Sequence, residues 1–276
     1  MESFKKRVFK KAALCRNFEN ETYKVIQNNI IKYPVYLSAG QEFIASSISE
    51  SIDRNIFPNI FIQHRGHSTY LSFGGPVEQL VSELLGFKTG CANGMGGSAS
   101  IQCKEKHIFG HDGLMASQVP IAVGNCFITK KPTIVFMGDS SAEEDYVFSS
   151  IGWASTKNLP ILFIVEDNNL SILTEKSVRR NWSIVDVAKG FGIDAYDISD
   201  DPEEIKKFTS PDFVKPLLLN INTIRRYWHA GAGIDDENVF DRYEEQRKLL
   251  GEYGDKIHYQ IKKKIKKVWK EQLEKL

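Results

Sequence analysis

Three continuous apolar, β-branched runs stand out from an otherwise mixed pattern: Thr133–Gly138 (TIVFMG), Ile161–Asp167 (ILFIVED) and Leu217–Thr223 (LLLNINT). Runs of this length without polar alternation read as strands buried on both faces, the pattern of a parallel sheet covered by helices. Between the first two lies a helix-compatible stretch, Ser141–Lys157, and Pro160 opens the next strand. Such a strand–helix–strand unit makes the pair parallel with a right-handed crossover. Further helices are predicted at about 3–30, 41–55, 76–86 and 115–128. Near the end of the chain, Ile257, Ile261, Ile265, Val268 and Gln272/Leu273 recur at helical steps. They predict an amphipathic helix whose lysine-rich outer face is solvated. The expected organisation is one α/β domain over 1–276, with an N-terminal helix and a C-terminal amphipathic helix.

Composition narrows the function classes. The chain has 276 residues, a formal charge of +1 and 42% apolar residues, enough to bury a real core. A balanced charge gives no electrostatic case for nucleic acid or an anionic membrane. No apolar run approaches the roughly 18 residues of a membrane helix. The basic start (Lys5, Lys6, Arg7) lacks the apolar segment of a secretory signal. Cys15, Cys91, Cys103 and Cys126 form no CxxC. These features predict a cytoplasmic protein with free thiols and no zinc site.

Glycine is uneven, with twelve of the 20 falling between Gly66 and Gly138. Glycine lets backbone N–H groups approach a ligand, so a phosphate or cofactor is to be sought there. Asp139 follows directly on the first strand and Asn168 on the second, 29 positions apart. Both then sit at the carboxyl ends of adjacent parallel strands, where open α/β sheets bind ligands. Taken singly, each reads as a turn residue capping a helix. Taken jointly, a carboxylate, an amide oxygen and the carbonyl of Leu170 supply half an octahedron for Mg²⁺, leaving the rest to diphosphate oxygens and water.

The segment GDS…EDNN resembles the GDG…NN motif of thiamine-diphosphate enzymes. The likeness extends to SAGQE (Ser38–Glu42), HRGHSTYLSFG (His64–Gly74), ELLGFKTGCANGMGGS (Glu83–Ser98), GLMASQVPIAVG (Gly113–Gly124), NLPILFIVEDNN (Asn158–Asn169) and TIRRYWHAG (Thr223–Gly231). In order and spacing, over about residues 5–250, the set resembles the alpha subunits of thiamine-diphosphate-dependent 2-oxo acid dehydrogenases (pyruvate, branched-chain and acetoin types). The resemblance implies a three-layer thiamine-diphosphate-binding fold with a mostly parallel central sheet flanked by helices. It implies thiamine diphosphate and Mg²⁺ as cofactors and a beta-type partner carrying the pyrimidine-binding half, in a homodimer or heterotetramer.

Residue by residue, the resemblance makes Arg65 the grip on the diphosphate, since a guanidinium binds two phosphate oxygens at once. It puts His64 beside it and the histidine at His67 near the cofactor. Gly113 and Met115 would bracket the thiamine. Gly138, Asp139, Ser140 and Ser141 form the metal turn, with Asn168 and Leu170 opposite. Arg225 and His229 belong to a late loop that binds anions or moves protons. His229 and His67 are the catalytic candidates. The chain departs from the family at several seats. His64 replaces a tyrosine, Tyr36 and Ser100 stand where histidines are common, Ser140 replaces a glycine, and Ala230 replaces a serine. The leading expectation is decarboxylation of a 2-oxo acid, with transfer of the acyl unit to a lipoyl acyltransferase. The alternatives are a carboligase acting on an aldehyde or ketone, and a catalytically silent partner subunit.

Overall fold

Thr133–Gly138 and Ile161–Asp167 lie side by side at the middle of a parallel sheet, paired from Thr133 with Ile161 to Gly138 with Glu166. The computed structural model describes residues 2–53, 55–209, 214–231, 233–236 and 238–276. In chain order its elements begin with α1 (Phe4–Gln27), α2 (Glu42–Ser51), β1 (Asn59–Phe61), α3 (His67–Ser72), α4 (Val77–Leu84) and β2 (Ile108–Phe109). The middle of the chain forms α5 (Gln118–Thr129), β3 (Thr133–Gly138), α6 (Asp145–Thr156), β4 (Ile161–Asp167), β5 (Leu170–Ser171), β6 (Thr174–Glu175), α7 (Lys176–Arg179) and α8 (Ile184–Gly190). It closes with β7 (Asp194–Ser199), α9 (Pro202–Thr209), β8 (Leu217–Asn222), α10 (Arg242–Leu249) and α11 (Glu252–Leu273).

The described strands form a six-stranded sheet in the order β2-β1-β3-β4-β8-β7, and β5 and β6 form a small antiparallel hairpin. Every pairing in the large sheet is parallel. Successive strand residues point to opposite faces, and each face meets its own core. Ile134, Phe136, Leu162, Ile164 and Leu219 pack with Phe18 of α1, Ile48 of α2, Leu80 of α4 and Trp269 of α11. Val135, Met137, Phe163 and Val165 pack with Val119 of α5, Ile151 of α6 and Ala188 of α8. Helix, sheet and helix thus make three layers. That explains why the two middle strands read as unbroken apolar runs.

Helix ends differ from the sequence expectation for local reasons. α5 begins at Gln118 rather than 115 because Ala116 takes a left-handed conformation (φ 57°). α2 stops at Ser51 because Ile52 is extended (ψ 141°). The stretch after β3 is broken in two: a 3₁₀ turn over Ser141–Glu143, extended backbone at Glu144, then α6.

Candidate functional site

The carboxyl ends of β3 and β4 open into a cavity of about 220 Å³. Its wall contains most of the residues singled out from sequence: His64, Arg65, Gly113, Met115, Gly138, Asp139, Ser140, Ser141, Asn168, Leu170 and His229. A larger and more open depression of about 790 Å³, by Asn59, Cys91, His107 and Lys131, holds none of them.

Asp139 is buried, and its carboxylate pairs with Arg179, which also donates to Glu143 at 2.7 Å. Burial pushes the Asp139 carboxyl up to about 6, with Asp167 adding to the rise and Arg179 opposing it. Asn168 donates from Nδ2 to Gln41 Oε1 at 3.0 Å, and its Oδ1 accepts the Leu170 N–H at 3.1 Å. Among the described residues no three His, Cys, Asp or Glu side chains gather as a metal cage. The donors present are hard oxygens on one side only, which fits a cation completed by phosphate oxygens and water.

Arg65 is 4% exposed. It donates to Leu37 O at 2.7 Å and to His229 O at 3.2 Å. Among the described residues it forms no ion pair. Burial, and then repulsion from Arg225, lowers its pKa to about 10, so it stays charged at neutral pH. A buried guanidinium without a carboxylate is a seat for an anion. Beside it, His64 Nε2 is buried and has no hydrogen-bond partner. Burial, with Arg65 and the neighbouring imidazoles adding, pushes His64 down to about 2. The same causes, burial first and Arg65 next, push His229 down to about 4. Both rings are therefore neutral hydrogen-bonding groups, and the arginine carries the charge.

The turn chemistry is local. Gly113 has φ +100°, a conformation that favours glycine. A Cβ at Gly138 would stand 3.3 Å from Gln63 Oε1, so glycine there lets Gln63 reach the cavity. Ser140 replaces the expected glycine without strain because its backbone is right-handed helical (φ −76°, ψ −32°).

Two expected residues lie elsewhere. His67 does not line the cavity: it is fully buried behind the wall, between Glu19 and Ser98. Its catalytic assignment is corrected accordingly, because no reacting group reaches a ring held on both nitrogens. Arg225 is likewise not a cavity residue. Its guanidinium pairs with Asp235 of the same loop and donates to Ile172 O, in the β5–β6 hairpin, at 2.8 Å, which spends its donors within the protein. Ser100 is absent from the wall and its neighbour Ala99 is present, so of the two family histidine seats only that of Tyr36 lines the cavity. Sequence reasoning passed over Gln63, His111, Ser171 and Ile172, all of which line it. His111 had a signal, standing two residues before Gly113. Ile172 had none, yet it takes φ 53°, rare for a β-branched residue.

Residues 10–266 match the family model described as dehydrogenase E1 component. The chain is 26% identical over 262 residues to a pyruvate dehydrogenase E1 component subunit alpha of Rickettsia conorii, covering 88% of this chain and 78% of that one. It is 26% identical over 236 residues to the mitochondrial pyruvate dehydrogenase E1 component subunit alpha-1 of Arabidopsis thaliana, covering 80% of this chain. The chain spans 59% of the length of that plant relative. Among solved structures, transketolase from Campylobacter jejuni aligns with a TM-score of 0.61 at 17% identity, over 100% of this chain and 49% of that one. That likeness is one of fold.

Proposed function

This chain belongs to the dehydrogenase E1 component family, and we propose that it is the alpha-type subunit of a thiamine-diphosphate-dependent 2-oxo acid dehydrogenase that works with Mg²⁺. One observation carries the reading: Arg65, a buried cation with no carboxylate partner among the described residues, shares a cavity with the buried Asp139 carboxyl. The first calls for an anion; the second, held by Arg179 in this structure, offers its carboxylate to a metal ion that arrives with that anion, so a metal–diphosphate pair suits both. Arg65 holds diphosphate oxygens, and Asp139, Asn168 and the Leu170 carbonyl hold the ion. The bound cofactor supplies the electron sink for decarboxylation of a 2-oxo acid.

The chain's own residues bind, orient and exclude water. His64 Nε2 offers the hydrogen bond it lacks within the protein. Gly113 and Met115 form one wall and Ile172 another. His229, neutral beside Arg65, is suited to moving a proton at a ring nitrogen. A beta-type chain completes the site with the pyrimidine-binding half, in a homodimer or heterotetramer, and a lipoyl acyltransferase accepts the product acyl unit.

A second reading, carboligation onto an aldehyde or ketone, is favoured by Tyr36, a phenol in the wall where the resembled family commonly has an imidazole. The test is co-expression with a beta-type chain, then assay of a panel of 2-oxo acids with an artificial electron acceptor and, separately, with aldehydes. Acceptor reduction supports the dehydrogenase, and acyloin formation alone supports the carboligase. Binding of neither thiamine diphosphate nor Mg²⁺ by the assembled complex would overturn both.

A further inference from the structure

Glu19 lies at 0% exposure in the middle of α1 with no lysine or arginine paired to it among the described residues. Its carboxylate accepts instead from the Ser38 N–H at 2.8 Å, the Ser38 hydroxyl at 2.5 Å and His67 Nδ1 at 3.1 Å. In the neutral imidazole, a carboxylate facing Nδ1 places the proton on that nitrogen and leaves Nε2 to accept. His67 Nε2 then accepts the Ser98 hydroxyl at 3.0 Å, and Ser98 Oγ accepts the Tyr36 N–H at 2.9 Å. Phe18 stands edge-on to the imidazole, ring centroids 5.5 Å apart, and holds its plane. His67 Nδ1 lies 3.1 Å from both Glu19 oxygens, and Ser38 Oγ also accepts the Ser68 N–H at 3.0 Å, so the carboxylate sets the direction of the network from its buried end outward.

We propose that His67 is a positioning residue: with Glu19 and Ser98 it forms a buried relay that seats the Tyr36–Ser38 segment and so sets the aromatic wall of the cavity. The proposal deepens the reading given above and rests on it only for the use the wall is put to. The segment is the common support of the site. Arg65 donates to Leu37 O at 2.7 Å, Gly231 N to Val35 O at 3.1 Å, and Arg226 N to Ala39 O at 3.0 Å. The glycine-rich loop, the diphosphate-gripping arginine and the late loop of His229 therefore all hang on residues 35–39. The relay acts on the backbone of Tyr36, whose ring stands 5.3 Å from that of His229.

The test uses the full chain without cofactor, so its outcome is independent of whether thiamine diphosphate binds. With ¹⁵N-labelled histidine, His67 should give the Nδ1-protonated tautomer, and Glu19→Gln should redistribute it. Ser98→Ala should quicken amide exchange of residues 35–39 by about tenfold, the measure of one lost neutral hydrogen bond. Ser98→Thr, which keeps the hydroxyl, should restore protection, and exchange in the central strands should stay unchanged in both. A His67 ring protonated at Nε2 alone would overturn the proposal. So would a Ser98→Ala chain in which residues 35–39 exchange as in wild type, or one in which the whole sheet quickens equally.

Discussion

Tyr36 stands edge-on to His64, their ring centroids 4.9 Å apart and their planes at 90°. The resembled family commonly has a histidine at the first seat and a tyrosine at the second. Here one phenol and one imidazole remain in the wall with their seats exchanged, and the two rings touch. Two departures that lie 28 positions apart along the sequence thus meet in space, which predicts that they are energetically coupled. Contacting residues couple by about 0.5–3 kcal/mol. Tyr36→His and His64→Tyr should each lower the thermal stability of the chain, and the double variant should recover part of the loss. Strict additivity in thermal unfolding would show that the rings act separately.

The metal pair should divide unequally. Asp139→Ala removes the one charged oxygen ligand of the set and leaves Arg179 facing Glu143 alone. Mg²⁺-dependent binding of thiamine diphosphate by the reconstituted complex should then be lost. Asn168→Ala removes a neutral oxygen and should weaken binding less. Titration calorimetry with and without a chelator measures both. Undiminished affinity in Asp139→Ala would place the ion elsewhere.

The site was legible where one side chain ends one strand. Asp139 and Asn168 follow buried apolar runs, and those runs fix their seats at the sheet edge. The strands β1 and β2 were not legible, because three and two residues carry no period. β7 (DAYDIS) buries only Ala195 and Ile198, three positions apart and in opposite cores, so it shows neither a continuous apolar run nor a strict alternation. Arg225 and His67 were misjudged for a shared reason. A motif brings a residue near a site, but its partner decides whether it faces the ligand. Those partners, Asp235 and Glu19, lie outside the motifs. Nothing local in the sequence pairs Arg179 with Asp139, which is 40 residues away.

Glu166 offers a pH prediction. Its carboxyl is 2% exposed, accepts from Gln63, and is pushed by burial from 4.5 up to about 7. The folded state therefore holds a proton that the unfolded chain has released between pH 4.5 and about 7. Stability from this group is fully present below that window and falls as pH rises through it. The loss is on the order of a few kcal/mol. Glu166→Gln should have a flatter stability–pH curve from 5 to 8. Its advantage over wild type should grow toward pH 8. Taking the difference of the two curves cancels Asp139, His64 and His229, which both proteins share. Parallel denaturation curves across that range would mean that Glu166 ionises without cost.

His229 joins charge to chemistry. Burial, then Arg65 and Arg225, hold its imidazole down to about 4, with Asp235 opposing. An anion entering the cavity offsets the arginines and raises that value. Binding of inorganic pyrophosphate should therefore draw in protons, more at pH 5.5 than at pH 8. Calorimetry in two buffers of different ionisation enthalpy reads the net proton exchange, and the difference between wild type and His229→Ala separates the ring's share from that of pyrophosphate itself. His229→Ala should reduce the uptake and leave affinity within a few-fold, because Arg65 and the metal oxygens remain. Turnover of the reconstituted enzyme should fall by about 10²–10⁴-fold, the usual cost of one positioned proton-transfer group. His229→Gln keeps a polar side chain but cannot carry a proton between pH 5 and 8, so it should restore stability without restoring turnover. If His229 serves the loop alone, kcat should stay within about threefold and only the melting temperature should drop. The contact from Arg65 Nη2 to His229 O at 3.2 Å uses the backbone and is kept in these substitutions, which remove only the longer contact of the same nitrogen to His229 Nδ1 at 3.4 Å. A fall in turnover would then trace to the ring and not to a displaced loop.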